Sequence, residues 1–157
     1  MKKKAAYMVS CLLILMLTAC PIDRFIMVRI NNNSNHNISF YIAERTDEPI
    51  YPDTTIALVR GHGIQQYINV DKNDSDSDTF ESLDNLFEGR DTVCLFVFDT
   101  DTLKKYSWEE IQVGYKILKR YDLSKTDIRN LGLLISYPPD DRMRDIKMYP
   151  PYDSEGD

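Results

Sequence analysis

The chain has 157 residues, with 19 Lys and Arg against 25 Asp and Glu, a formal charge of −6 at neutral pH. That acidic balance argues against nucleic acid as a partner and against a polybasic grip on anionic lipid. The length suits one ordinary domain behind a short leader, not two.

The leader comes first. Met1-Lys2-Lys3-Lys4 precedes an uncharged stretch over residues 5–16, which runs into Leu17-Thr18-Ala19-Cys20. A basic start, an apolar run and a small-residue exit mark an exported precursor. The stretch meets the polar Pro21-Ile22-Asp23-Arg24 too soon for a spanning helix, which needs roughly 20 apolar residues, so residues 1–19 are expected to be cleaved. Leu-Thr-Ala-Cys resembles the bacterial lipobox, in which small side chains let an extended chain lie in a peptidase cleft and the cysteine thiol takes lipid. The competing reading is an ordinary signal peptide with Cys20 incidental. Lipidation would place more than one palmitate-type acyl chain on Cys20, and at about 0.8 kcal/mol per buried methylene two chains hold stably where one does not.

Cleavage would leave residues 20–157. Three lysines leave with the leader, so 16 basic residues then face 25 acidic ones, a formal charge of −9. Cys11 also leaves and Cys20 is committed to lipid, so Cys94 would stand alone and no intrachain disulfide is expected. Cys94 lies inside the apolar run 92–98, where a cysteine behaves as a small buried hydrophobe, and thiolate activation would need positive charge or a helix N-terminus nearby.

In chain order, residues 25–30 read as a strand and Asn31-Asn32-Asn33-Ser34-Asn35 as a turn tolerant of left-handed backbone. Residues 37–43 then return as a second strand, the two making a hairpin. Ile38, Phe40 and Ile42 alternate with Ser39 and Tyr41, the pattern of a strand with one buried face. Residues 56–59 and 64–70 flank Gly61-His62-Gly63 as a second hairpin, with His62 in its turn. The polar stretch 71–78 reads as a solvated connection. A short helix over 79–88 follows, with Asp78 and Glu81 as its capping box and Gly89 beyond its end.

Residues 92–98 form the most hydrophobic strand, apolar on both faces and therefore central. Asp99-Thr100-Asp101 reads as the turn after it. Ser107 and Glu110 open the clearest helix, expected over 107–119, with Trp108, Ile111, Tyr115 and Leu118 on one face and Trp108 in the core. Ser124 and Asp127 cap a second helix whose inward residues are Ile128 and Leu131 and which Gly132 ends. Residues 133–137 form a last strand, stopped by Pro138-Pro139. The segment 140–157, with Tyr149-Pro150-Pro151-Tyr152, reads as an extended strap over the domain.

The expected organisation is therefore a signal peptide at 1–19, a lipidated linker at 20–24, a single α+β domain at 25–139 and an extended tail at 140–157. The domain is expected to be a mainly antiparallel sheet with two or three short helices packed on it.

Several runs carry a family likeness: Trp108-Glu109-Glu110-Ile111, the stretch 117–124, Ile135-Ser136-Tyr137-Pro138-Pro139, the stretch 146–152, and the Asn-rich first turn. Together they resemble a group of small uncharacterised lipoproteins of Bacteroides-type bacteria, over most of the chain beyond the leader. Leu133-Leu134 departs from it, at a place where a tryptophan-containing pair is expected. The resemblance implies a location in a Gram-negative cell envelope, lipid-anchored at the outer membrane and facing the periplasm or the surface. It implies no activity and no functional residues.

The residues supply little else by way of chemistry. Alternating Asp74, Asp76 and Asp78 resemble half of a calcium loop, but counted as its positions 1, 3 and 5 they put Thr79 where the turn glycine belongs and Asn85 where the bidentate glutamate belongs. With two histidines, no transition-metal spacing and no G-x-S-x-G, no catalytic residue is assigned and no cofactor is expected. The expectation is a non-enzymatic binding or structural accessory, held to a membrane by Cys20 and meeting an envelope protein partner. The alternatives are a glycan hydrolase with an unrecognised carboxylate pair and a calcium-stabilised module.

Overall fold

The structure, a computed structural model, describes residues 25–43 and 67–155. Cys20 and the Gly61-His62-Gly63 turn lie outside the described residues. The fold is α+β and dominated by antiparallel pairing. Its strands are β1 (Ile26–Asn32), β2 (Ile38–Ile42), β3 (Ile68–Val70), β4 (Ser75–Phe80), β5 (Thr92–Asp99), β6 (Lys119–Ser124), β7 (Leu134–Tyr137) and β8 (Lys147–Tyr149). Among the described residues, four short helices, α1 (Leu83–Phe87), α2 (Thr100–Lys105), α3 (Trp108–Val113) and α4 (Lys125–Asn130), join them with single 3-10 turns at Asp141–Met143 and Tyr152–Glu155.

The strands form two sheets. One has the order β4-β1-β7, the other β3-β2-β5-β6-β8, and β1 with β7 is the parallel pair. Alternation along β5 explains the layering. Val93, Leu95 and Val97 enter a core that also holds Val28 and Ile30 of β1 and Ile135 of β7, so this core lies between the sheets. Cys94, Phe96 and Phe98 face the opposite way, against Leu103 of α2 and Ile111 of α3. The larger sheet is thus covered on both faces, which accounts for a strand with six consecutive buried residues.

The first hairpin does not form. β1 pairs with β4 and β7, whereas β2 pairs with β3 and β5 in the other sheet. The chain changes sheets at Asn32, whose buried side chain closes the corner. Its Oδ1 accepts from Ser34 N at 3.0 Å and lies 2.7 Å from Ser34 Oγ, a side-chain-closed turn that needs no left-handed backbone. Its Nδ2 faces the carbonyl oxygens of His36 at 2.9 Å, Asp71 at 3.1 Å and Val70 at 3.3 Å. The last two belong to the place where the chain crosses back from β3 to β4, so one amide ties both crossings together. Left-handed backbone falls instead at Asn73, in the second crossing. Because β2 lies between two layers, Ser39 and Tyr41 are buried along with Ile38, Phe40 and Ile42.

The polar stretch is also corrected. Ser75–Phe80 is an edge strand registered against β1, with Asp76 opposite Ile30 and Asp78 opposite Val28. Those two carboxylates therefore stand on the core-facing side at the sheet margin, an arrangement that discourages edge-to-edge pairing with another chain. The helix expected over 79–88 starts later, because Phe80 belongs to β4 and Ser82, not Asp78, accepts from Asn85 N as the cap. Asp99 is not a simple turn residue either; its carboxylate caps α2 by accepting from Thr102 N at 2.7 Å.

α3 opens as expected, with both capping-box bonds between Ser107 and Glu110, but it ends after Val113. Lys116 N donates to Ile111 O at 3.0 Å and Tyr115 N to Gln112 O at 3.2 Å, while Tyr115 turns left-handed with φ 45°. Lys119 consequently begins strand β6 and does not end a helix. α4 follows the expectation throughout, from the Ser124/Asp127 box to Gly132 at φ 65°. Within 140–157, β8 pairs with β6 and adds a fifth strand to the larger sheet, and Met143, Ile146 and Met148 enter the core between the sheets.

Asn32→Ala removes the amide that links both crossings, with its bonds to the carbonyls of His36, Val70 and Asp71 and to Ser34. Each lost bond is worth about 1 kcal/mol, so we expect urea unfolding to register a loss of about 2–3 kcal/mol. A loss below about 0.5 kcal/mol would contradict the role assigned to this side chain.

Candidate functional site

The most unusual chemistry among the described residues lies on the helix-covered face of the larger sheet. Arg120 and Asp122, two positions apart on β6, point to the same face and pair there, Arg120 Nε donating to Asp122 Oδ1 at 2.7 Å. Their side chains are 1% and 5% exposed. Strand register places Cys94 opposite Asp122 and Phe96 opposite Arg120. The Cys94 thiol accordingly donates to Asp122 Oδ1 at 3.2 Å, and the guanidinium carbon lies 5.8 Å from the centre of the Phe96 ring.

Tyr115 completes the group from the end of α3. Its left-handed backbone aims the ring inward, where it meets Tyr149 of β8 at 5.5 Å between centroids. Its hydroxyl is buried beside Arg120 without meeting hydrogen-bond geometry. Burial pushes the Tyr115 phenol above its ordinary range, and the neighbouring guanidinium offsets this only in part. For Arg120, desolvation opposes the charge, but Asp122, Cys94 and Tyr115 together outweigh it and hold the guanidinium protonated.

This arrangement positions a strand; it does not poise a reaction. Asp122 is the one buried carboxylate among the described residues, and one of its oxygens is committed to Arg120 and Cys94. Its Oδ2 is buried without a partner, a cost that the ion pair must cover. Cys94 is buried, as its setting in the chain implied, but its sulfur faces a carboxylate as donor. A one-residue slip of β6 would turn Arg120 and Asp122 into the apolar core between the sheets, so the pair pins the register.

The residues singled out in the sequence fall elsewhere. Asp74, Asp76 and Asp78 each accept from the next residue's backbone N–H, at 2.8, 2.7 and 2.8 Å, the first just before the edge strand β4 and the other two on it. No group of three or more His, Cys, Asp or Glu among the described residues is placed to hold a metal ion. Trp108 packs in an aromatic cluster with Tyr67 and Phe98, at 5.8 and 6.1 Å between centroids. No helix among the described residues is long and apolar enough to cross a membrane. Comparison with protein-family models, curated proteins and solved structures finds no match to this chain.

The Arg120–Asp122 pair is hidden in the sequence because the apolar helical spacing runs up to Lys119. The signal that could have found it is the alternation in Lys119-Arg120-Tyr121-Asp122-Leu123, where opposite charges two apart share one face of a strand. Asp122→Ala removes the carboxylate that compensates a buried guanidinium, for which we expect a loss of about 3–5 kcal/mol on urea unfolding. The double variant Arg120→Met/Asp122→Leu should recover most of that loss. A single variant as stable as the parent would show that the pair carries no structural weight.

Proposed function

We propose that this chain is a lipid-anchored lipoprotein of the cell envelope, held at the outer membrane by acyl chains on Cys20 and carrying a non-enzymatic domain that binds or braces an envelope partner. The observation that carries the reading is Leu17-Thr18-Ala19-Cys20 behind a tri-lysine start and an uncharged run. All four lipobox positions agree, and the likeness to small lipoproteins of Bacteroides-type bacteria points the same way. The character of the domain supports the accessory role, since its one buried carboxylate among the described residues, Asp122, is paired with Arg120 on β6.

The test is direct. In cells fed radiolabelled palmitate, the parent chain should take up label and Cys20→Ala should take up none, with the variant accumulating as unprocessed precursor. Persistence of label in the variant would overturn the anchor.

A further inference from the structure

The outer face of the smaller sheet is unlike the rest of the molecule. On β1, Val28 and Ile30 point into the core, which leaves Met27 and Arg29 on the opposite face, with Phe25 next in the same alternation. Phe25 is 58% exposed and Met27 54%, and Arg29 is also exposed. Register puts Thr79 beside Met27, and Ser77 and Leu134 on either side of Arg29. The strand positions of this face bear no carboxylate, because Asp76 and Asp78 pair with the inward residues Ile30 and Val28. In a chain with six more acidic than basic residues, one face therefore combines two exposed apolar side chains, a cation and neutral hydroxyls.

Its place in the chain says what would meet it. Four residues separate Cys20 from Phe25, so the five steps between them span at most about 18 Å. Acyl chains on Cys20 would hold Phe25 within that reach of the bilayer, so the face that begins at Phe25 is the part of the described domain tethered nearest the lipid.

Resting on the proposed lipidation of Cys20, we infer that the face bearing Phe25, Met27 and Arg29 docks on the bilayer that holds the anchor. Phe25 and Met27 enter the headgroup boundary and Arg29 faces lipid phosphate. The acyl chains supply the attachment; this face sets the orientation, directing the helix-covered side of the larger sheet away from the membrane, toward a partner.

The experiment uses the full lipidated chain in vesicles of phosphatidylethanolamine and phosphatidylglycerol. An environment-sensitive fluorophore is placed on Met27→Cys or, as control, on Val113→Cys; Val113 is 84% exposed in α3, on the far side of the molecule. We expect a blue-shifted emission, and quenching by shallow spin-labelled lipid at least threefold stronger, at position 27 than at position 113. Equal, water-like emission at both positions in protein whose N-terminal peptide carries the acyl mass would overturn the docking and leave the anchor standing. Absence of the acyl mass would overturn the anchor and, with it, the docking.

Discussion

One side-chain amide sets the architecture. Asn32 closes the corner where the chain leaves the smaller sheet for the larger, and it reaches the carbonyls of Val70 and Asp71, where the chain returns. Its amide adds bonds from the first crossing to the backbone of the second and so holds the two crossings against each other at the seam between the layers. With Asn32 in place β1 and β2 separate, and the apolar faces of the two sheets can close on a common core. Everything downstream uses that geometry: β5 can be apolar on both faces because one meets the smaller sheet and the other meets α2 and α3.

The Arg120–Asp122 pair plays a different part. It adds little net stability, since desolvating two charges costs nearly as much as their attraction returns. Its value lies in what it forbids, because a slipped β6 would put both charges between the sheets. Cys94 and Phe96 stand opposite the pair on β5, and Tyr115 packs beside Arg120. Chemistry of this kind fixes one strand in one register.

How much of this was legible in the chain depended on distance along it. Signals completed within a few residues were readable: the Ser107/Glu110 and Ser124/Asp127 boxes, Gly132 after α4, and the apolar run that became β5. Features decided across the chain were not. The turn at 31–35 looks like a hairpin until Asn32 finds partners 38 and 39 residues away. The acidic run looks like a loop until β1 supplies a ladder for Ser75–Phe80. The apolar spacing runs on through Tyr115 and Leu118, so the sequence implies a longer helix than the one that ends at Val113; Tyr115 keeps its inward place by turning left-handed. The buried ion pair was lost with that same boundary.

The sheet switch at Asn32 is the claim on which the rest stands, and through-space proton contacts in the folded chain test it most directly. The account predicts backbone contacts from Ile30 to Asp76 on one side and Ile135 on the other, and from Phe40 to Ile68 and Val97. A continuous ladder of contacts between residues 25–30 and 37–43 would contradict it.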